Sequence, residues 1–383
     1  MIKQLLLAPG PTPVPARVRL AMAQPMFHHR TPQFSALFAE VRKQLQELYQ
    51  TEQDVLMLAS SGTGAMEAAV NNCFAPGDEV IVINGGKFGE RWIKLANTFG
   101  VKPIEIRVEW GRAVRPDQVE QALSEHPHAK GVLVQGSETS TAAVHPIQEL
   151  AAITRKRDAL LVVDGITAVG VYEIPMDKWG VDVLITGSQK ALMLPPGLAT
   201  IALSARAWTR VESVKQPRFY FDLPRERTNQ EKNTTAWTPA ISLVIGLREA
   251  LAMMQEEGFA TVYARHARLA AATRAGCEAL GLRLVAPDNP SPAVTGVYTP
   301  EGVDGGKLFS YLRDKMKVVF AGGQDHLKGK IIRIAHIGYI DTFDTITAVA
   351  ALEMALQRFG HKVELGRGVG AAQAVLMDAL PAL

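Results

Sequence analysis

Short apolar runs recur through the first two thirds of the chain, at 78–84 (DEVIVIN), 102–108 (KPIEIRV), 131–135 (GVLVQ), 159–164 (ALLVVD), 182–186 (DVLIT) and 198–204 (LATIALS). They are rich in Val, Ile and Leu and do not alternate strictly with polar residues. That pattern predicts strands covered on both faces. Between them lie stretches of helical spacing. In 115–126 Val119, Ala122 and Leu123 share one face, and 145–158 follows the same period. Strands separated by helices predict an α/β protein with a mostly parallel sheet.

From about residue 240 the pattern changes. Two long helical periods, 241–258 and 261–281, each stop at a glycine, as helices closed by a left-handed residue do. Strand-like runs follow at 282–286 (LRLVA), 293–299 and 330–336, and a last helical period occupies 342–360. This mixture predicts a second, smaller α+β domain. The expected division of the 383 residues is an N-terminal arm over 1–20, a large domain over 21–260 and a small domain over 261–383. Beyond Gly360 the periodicity fades and the tail is unassigned.

Composition excludes several classes. Hydrophobic residues at 47% and charged residues at 21% are the balance of a globular protein. Basic residues number 41 and acidic residues 38, interspersed, with no basic stripe suited to nucleic acid. The two cysteines, Cys73 and Cys277, form neither a CxxC pair nor a metal spacing with histidine, so neither a metal nor a disulfide framework is expected. The opening apolar run breaks at Pro9, too soon for a signal peptide or a membrane span. A cytoplasmic protein without membrane segments is expected.

The chemistry concentrates in three places. ITGSQKALMLPPG, 185–197, sets one cation, Lys190, between two apolar runs. Lys190 follows the strand 182–186 and Asp164 ends the strand 159–164, so both stand at the carboxyl ends of strands, where open α/β sheets bind ligands. SSGTGAMEAAV, 60–70, is a glycine- and hydroxyl-rich turn opening a helix, whose N–H groups and dipole suit a phosphate. It is not a dinucleotide fingerprint, because Glu67 stands where the third glycine belongs, and no Gly-Lys-Ser/Thr follows to make a P-loop. Singly, these are an ordinary loop lysine, a turn aspartate and a loop motif. Jointly they meet the needs of pyridoxal phosphate: an amine for the aldehyde, an acid for the pyridinium nitrogen and a cup for the phosphate. Burial would favour the neutral amine that a Schiff base requires.

SGTGAMEAA, ETST, VVDGITAVG, GSQKAL..PPG and IRIAHIG occur in the order found in class V, fold-type I pyridoxal-phosphate aminotransferases, which the chain resembles from about residue 5 to 360. It is most similar to the alanine–glyoxylate and serine–glyoxylate group, which includes cyanobacterial proteins once named as a small subunit of a soluble hydrogenase. The resemblance implies a large domain with a mostly parallel seven-stranded sheet between helices, and a smaller C-terminal α+β domain. Carried over, it makes Lys190 the cofactor-bound lysine and proton carrier and Asp164 the partner of the ring nitrogen. It sets Thr63, Gly64, Ala65 and Gln189 at the phosphate, Phe88 on the ring and Thr139 near the phenolic oxygen. Arg333 would fork onto the substrate carboxylate. Gly10 and Pro11, in APGP, would crowd the substrate side chain. The resemblance also implies a homodimer with composite sites, Thr238 reaching the other subunit's phosphate; Thr235 stands where some relatives have a tyrosine. His28, His29 and Arg30 are expected at the entrance or the dimer contact, and His326 and His336 are unassigned.

The expected reaction is transamination of alanine or serine with a 2-oxo acid, glyoxylate first. Competing readings are phosphonate or phosphoserine transamination, for which Arg30 is the one extra basic candidate, and cysteine desulfuration, for which neither Cys73 nor Cys277 is well placed. A non-catalytic subunit of a redox complex lacks cluster ligands, and an NAD dehydrogenase lacks the glycine fingerprint.

Overall fold

The computed structural model describes residues 3–377. Its main sheet has seven strands: β1 (Val55–Leu58), β2 (Glu79–Asn84), β3 (Lys102–Arg107), β4 (Gly131–Gln135), β5 (Leu160–Asp164), β6 (Val183–Gly187) and β7 (Ala199–Leu203). Their spatial order is β1-β7-β6-β5-β4-β2-β3. Only β7 is reversed, running antiparallel to both β1 and β6.

The absence of alternation in the strands has a direct cause. Ile81, Val132, Val134, Leu161, Val163 and Leu184 face one buried cluster, with Phe34, Phe38 and Leu45. Their sequence neighbours Val80, Val82, Leu133, Val162 and Ile185 face another, with Ala65, Met66 and Trp92. Both faces are dry across the inner strands, so nearly every position there is apolar; β3, expected to be covered likewise, is an edge strand that exposes Lys102, Glu105 and Arg107. Three helices matter for the site: α1 (Pro32–Tyr49) on the first face, and α2 (Gly62–Cys73) and α3 (Lys87–Thr98) on the second.

The later part of the chain forms a three-stranded antiparallel sheet from Val294–Tyr298, Ile331–Ala335 and Ala321–Gly322. Its helices include α4 (Phe259–Ala279) and α5 (Thr342–Arg358). Gly258 at φ +82 and Gly281 at φ +75 follow the ends of the two long helices, where the periodicity placed them. LRLVA, expected as a strand, is not one. It runs beside Val294–Tyr298 but bridges only at Leu284–Val297, while Arg283 turns out onto the Tyr298 ring at 4.2 Å. The unassigned tail contains a helix, Arg367–Met377, whose start is held by Glu353 of α5: its carboxylate accepts from the Gly366 and Gly368 N–H groups. The N-terminal arm joins this part of the molecule, with Leu5–Leu6 pairing parallel to Val318–Val319 and Leu7 O accepting from Ala335 N–H. Among the described residues no helix is long and apolar enough to cross a membrane.

Candidate active site

The strand directions bring the segments after β1, β2, β4, β5 and β6 to one edge of the sheet. The chain order reverses between β2 and β4, and the loops leaving there diverge to open a crevice. A cleft with about 450 Å³ of empty space lies at this edge, lined by Lys190, Asp164, Gln189, Phe88 and Thr139 among others.

Lys190 follows β6 and Asp164 ends the adjacent β5. Lys190 Nζ donates to the Pro9 carbonyl at 2.6 Å. Burial pulls the amine down to about 8, against the pull of Asp164; Arg333 and Arg91 push the same way as burial. Asp164 is pushed up to about 6, again by burial first, while the Ile166 N–H donates to its Oδ1 at 2.9 Å. A buried amine and a buried carboxyl, each shifted toward its neutral form, share one cleft.

The turn after β1 ends in α2. Its N-cap, Ser61, makes no side-chain hydrogen bond to the helix. Ser61, Gly62 and Thr63 line the cleft. A Cβ at Gly62 would lie 2.4 Å from Ile166 Cδ1, so glycine lets the helix start close to the loop after Asp164. Gln189 contributes a buried Oε1, an acceptor with no partner among the described residues.

Phe88 is set by a residue the sequence reading did not weigh. Glu138 Oε2 accepts from the Phe88 and Gly89 N–H groups at 3.1 and 2.9 Å, in the first turn of α3. Its Oε1 accepts from the N–H and hydroxyl of Ser140. Burial pushes this carboxyl up and the donors pull it back. The next residue, Thr139, offers its carbonyl to Arg333 Nη1 at 2.7 Å, and Arg333 Nε donates to Gly322 O at 2.9 Å. Arg333 is 7% exposed, and burial pulls it down to about 10.

A profile of the family described as aminotransferase class-V matches residues 6–338. The chain belongs to the class-V aminotransferases. It is 41% identical over 381 residues to the soluble hydrogenase 42 kDa subunit of Anabaena cylindrica, covering 98% of this chain and 99% of that one. It is 35% identical over 388 residues to the serine–glyoxylate aminotransferase of Methylorubrum extorquens, covering 97% and 96%. A solved structure, the subgroup IV aspartate aminotransferase of Thermus thermophilus, superposes with a TM-score of 0.87 at 36% identity, covering 93% of this chain and 99% of that one. The protein is a pyridoxal-phosphate-dependent aminotransferase.

Within the aminotransferase the remaining expected residues separate into two sets. Gly10 is at the cleft: at φ +136 its added Cβ would sit 2.2 Å from Lys190 Nζ. Thr12 ties the arm down, donating from Oγ1 to Lys190 O at 2.8 Å and from N–H to Gln189 O at 3.1 Å. Pro11 is exposed. Gly64 and Ala65 do not reach the cleft. Their N–H groups are taken by Ser61 O, and Gly64 faces Ser60 and Phe221. Residues 61–63, one step earlier, present the free end of the helix.

Thr238 lines a separate narrow pocket with Phe38, Tyr220 and Trp237, away from Lys190 of the same chain. Thr235 there donates to Trp237 O at 2.6 Å. The His28 and His29 rings lie tilted against each other with centroids 4.4 Å apart, and Arg30 donates to Thr234. His336 is buried between Pro292 O and Thr295, and His326 packs on Trp110 at 4.3 Å. Cys73 and Cys277 are buried thiols pushed up to about 12 by burial, which suits core packing rather than nucleophilic attack. No cluster of metal-ligating side chains is found among the described residues.

Ser61, Gly62, Arg91 and Glu138 had no individual role in the sequence analysis, although Ser61 and Gly62 lie in the turn 60–70 read as a phosphate cup and Glu138 opens ETST. Arg91 carries no local signal, being a helix residue one turn beyond Phe88.

Proposed function

We propose that the protein transfers an amino group from a small amino acid, alanine or serine, to glyoxylate in two ping-pong half-reactions. The observation that carries this reading is the arm over Lys190. Pro9 O and the Gly10 backbone roof the amine at contact distance, a tight roof that suits a small donor side chain. The serine–glyoxylate relative supports serine and glyoxylate among these substrates.

When bound, pyridoxal phosphate supplies an aldehyde for an amine and a conjugated ring that accepts an electron pair from the donor Cα. In this reading Lys190 holds the cofactor, and its freed amine takes the Cα proton and returns one on the far side of the conjugated system. The depressed Lys190 amine suits a base that must shed its proton near neutral pH. Asp164 holds a proton at the ring nitrogen. Ser61, Gly62 and Thr63 take the phosphate on the N–H groups at the open start of the helix, with Gln189 beside it. Phe88 covers the ring, Thr139 stands by the phenolic oxygen, and Arg333 forks onto the donor carboxylate.

The protein works as a homodimer in this reading, Thr238 of one copy reaching the phosphate of the other. Phe219, 72% exposed and packed on Trp237 beside Thr238, supports an uncovered aromatic face at that segment. A cytoplasmic setting fits two cysteines held as thiols.

The test is a single-turnover titration of the holoenzyme with alanine, serine and aspartate, followed by glyoxylate, read in the visible spectrum. Fast bleaching by alanine or serine and recovery with glyoxylate is expected. Aspartate reacting faster than both would overturn the donor assignment.

A further inference from the structure

The cleft holds one cation to which no role has yet been given. Arg91 lies one turn beyond Phe88 on α3, half-buried, and lines the cleft. Among the described residues its guanidinium makes one hydrogen bond, donating from Nη1 to Thr63 Oγ1 at 3.0 Å. Its central carbon lies 4.9 Å from the centre of the Phe88 ring. No carboxylate among the described residues pairs with it. The neighbouring cations are committed elsewhere. Lys190 donates to Pro9 O, Arg333 is held by two carbonyls and is the residue proposed for the donor carboxylate, and Lys87 pairs with Glu90 and Asp325. A half-buried guanidinium with most of its donors unspent calls for an anion.

Its position says which anion. Thr63 is in the first turn of α2, so Arg91 stands at the open helix end. A phosphate ester carries between one and two negative charges at neutral pH, whereas a helix end offers only about half a charge. Ser61, Gly62, Thr63 and Gln189 add donors but no net charge.

We propose that Arg91 binds the cofactor phosphate, supplying the positive charge of that subsite while Thr63 and the Phe88 ring hold its fork in place. The proposal rests on the placement of the cofactor in this cleft argued above. It adds a residue reached from α3, across the crevice from the helix that forms the rest of the cup.

The test compares binding of pyridoxal phosphate and of phosphate-free pyridoxal to apoprotein, read by absorbance and tryptophan fluorescence. Arg91→Gln is expected to weaken pyridoxal phosphate by ~10- to 100-fold, the worth of one charge-assisted fork, and to leave pyridoxal within about twofold. Arg91→Lys, which keeps the charge but not the fork, is expected between the two. It also serves if the glutamine variant fails to fold. Inorganic phosphate should compete with the cofactor less well in Arg91→Gln than in the unaltered protein. Equal loss for both ligands would mean that Arg91 only shapes the cleft, and would overturn the proposal. Unchanged affinity for both, with aspartate turnover lost selectively, would assign Arg91 to a substrate carboxylate and overturn it too. Capture of pyridoxal phosphate by the unaltered protein that persists undiminished in Lys190→Ala would instead bring down the placement of the cofactor, and this proposal with it.

Discussion

Lys190 Nζ donates to the carbonyl of Pro9 at 2.6 Å, and the adjacent Gly10 is the position where any side chain would collide with that amine. The two residues of the hydrogen bond are 181 positions apart. The arm that carries Pro9 is anchored on the far side by Leu7, whose carbonyl accepts from Ala335. The roof of the site is thus tied to the small sheet through a backbone hydrogen bond two residues before Pro9. Gly10→Ala introduces a Cβ 2.2 Å from Nζ at a backbone φ of +136 that alanine tolerates poorly. Formation of the visible band with pyridoxal phosphate should fall at least ~100-fold in rate, since small misplacements at a reacting atom are that costly. Near-normal band formation would show that the arm is not the roof of the site.

Reconstitution should report the state of the Lys190 amine. With the amine near 8 in the apoprotein, the fraction free to attack an aldehyde rises about tenfold per pH unit below that value and levels off above about 9. Stopped-flow rates of cofactor uptake between pH 6 and pH 10 measure this. A plateau reached only above pH 10 would show that burial does not depress the amine.

Asp164 should cost the apoprotein stability where it serves the holoenzyme. Its carboxyl is raised to about 6 in the fold. The stabilising contribution of the protonated form is present below about pH 4 and is lost as pH rises through 6. At pH 8 the penalty is roughly 3 kcal/mol, from a shift of about two units. Asp164→Asn keeps an acceptor for the Ile166 N–H. Its apoprotein should melt higher than the unaltered one at pH 8 and about equally at pH 4, while turnover collapses. An apoprotein that melts no higher at pH 8 contradicts the burial argument.

Composite sites predict complementation. Lys190→Ala and Thr238→Val are each expected to be impaired as pure proteins. After mixing and subunit exchange, a heterodimer has one site with both defects and one with neither, so activity should return toward about a quarter of normal. The estimate follows from statistical pairing of two obligate protomers. No recovery, with exchange verified, would sink the shared-site reading.

The cysteines should be dispensable. Cys73 and Cys277 are fully buried and held as thiols. Single Cys→Ala variants should keep turnover within about twofold, with melting lowered by the small core cavity. Persulfide on either residue after incubation with cysteine would revive desulfuration.

Of the two histidines that sequence alone left without roles, His336 is buried while His326 is exposed beside Trp110, and a third, His266, is buried as well. His266 and His336 are buried and pulled down to about 3, so they stay neutral in the fold. A depressed base contributes stability above its unfolded value near 6.5 that is lost as pH falls toward the folded one. His336 is thus read as structural, its ring fixed by Pro292 O and Thr295 rather than by substrate.

What the sequence determined by itself is the sheet and the pair at its edge. Apolar runs mark strands and that signal is local, so β2 to β7 were legible, although the edge strand β3 is half exposed rather than buried on both faces. Lys190 and Asp164 were legible because each directly follows or ends such a run. The four-residue β1 carried too little pattern, and LRLVA carried apolar residues without a ladder to join.

Only the tertiary structure decided what surrounds that pair. Arg91 meets Thr63, Glu138 meets the amides of α3, and Pro9 meets Lys190 because crossovers return distant segments to one edge of the sheet. Side-chain spacing encodes which face of a strand or helix is buried. It does not encode which loops meet at the ends of strands that are neighbours in space but far apart in the chain.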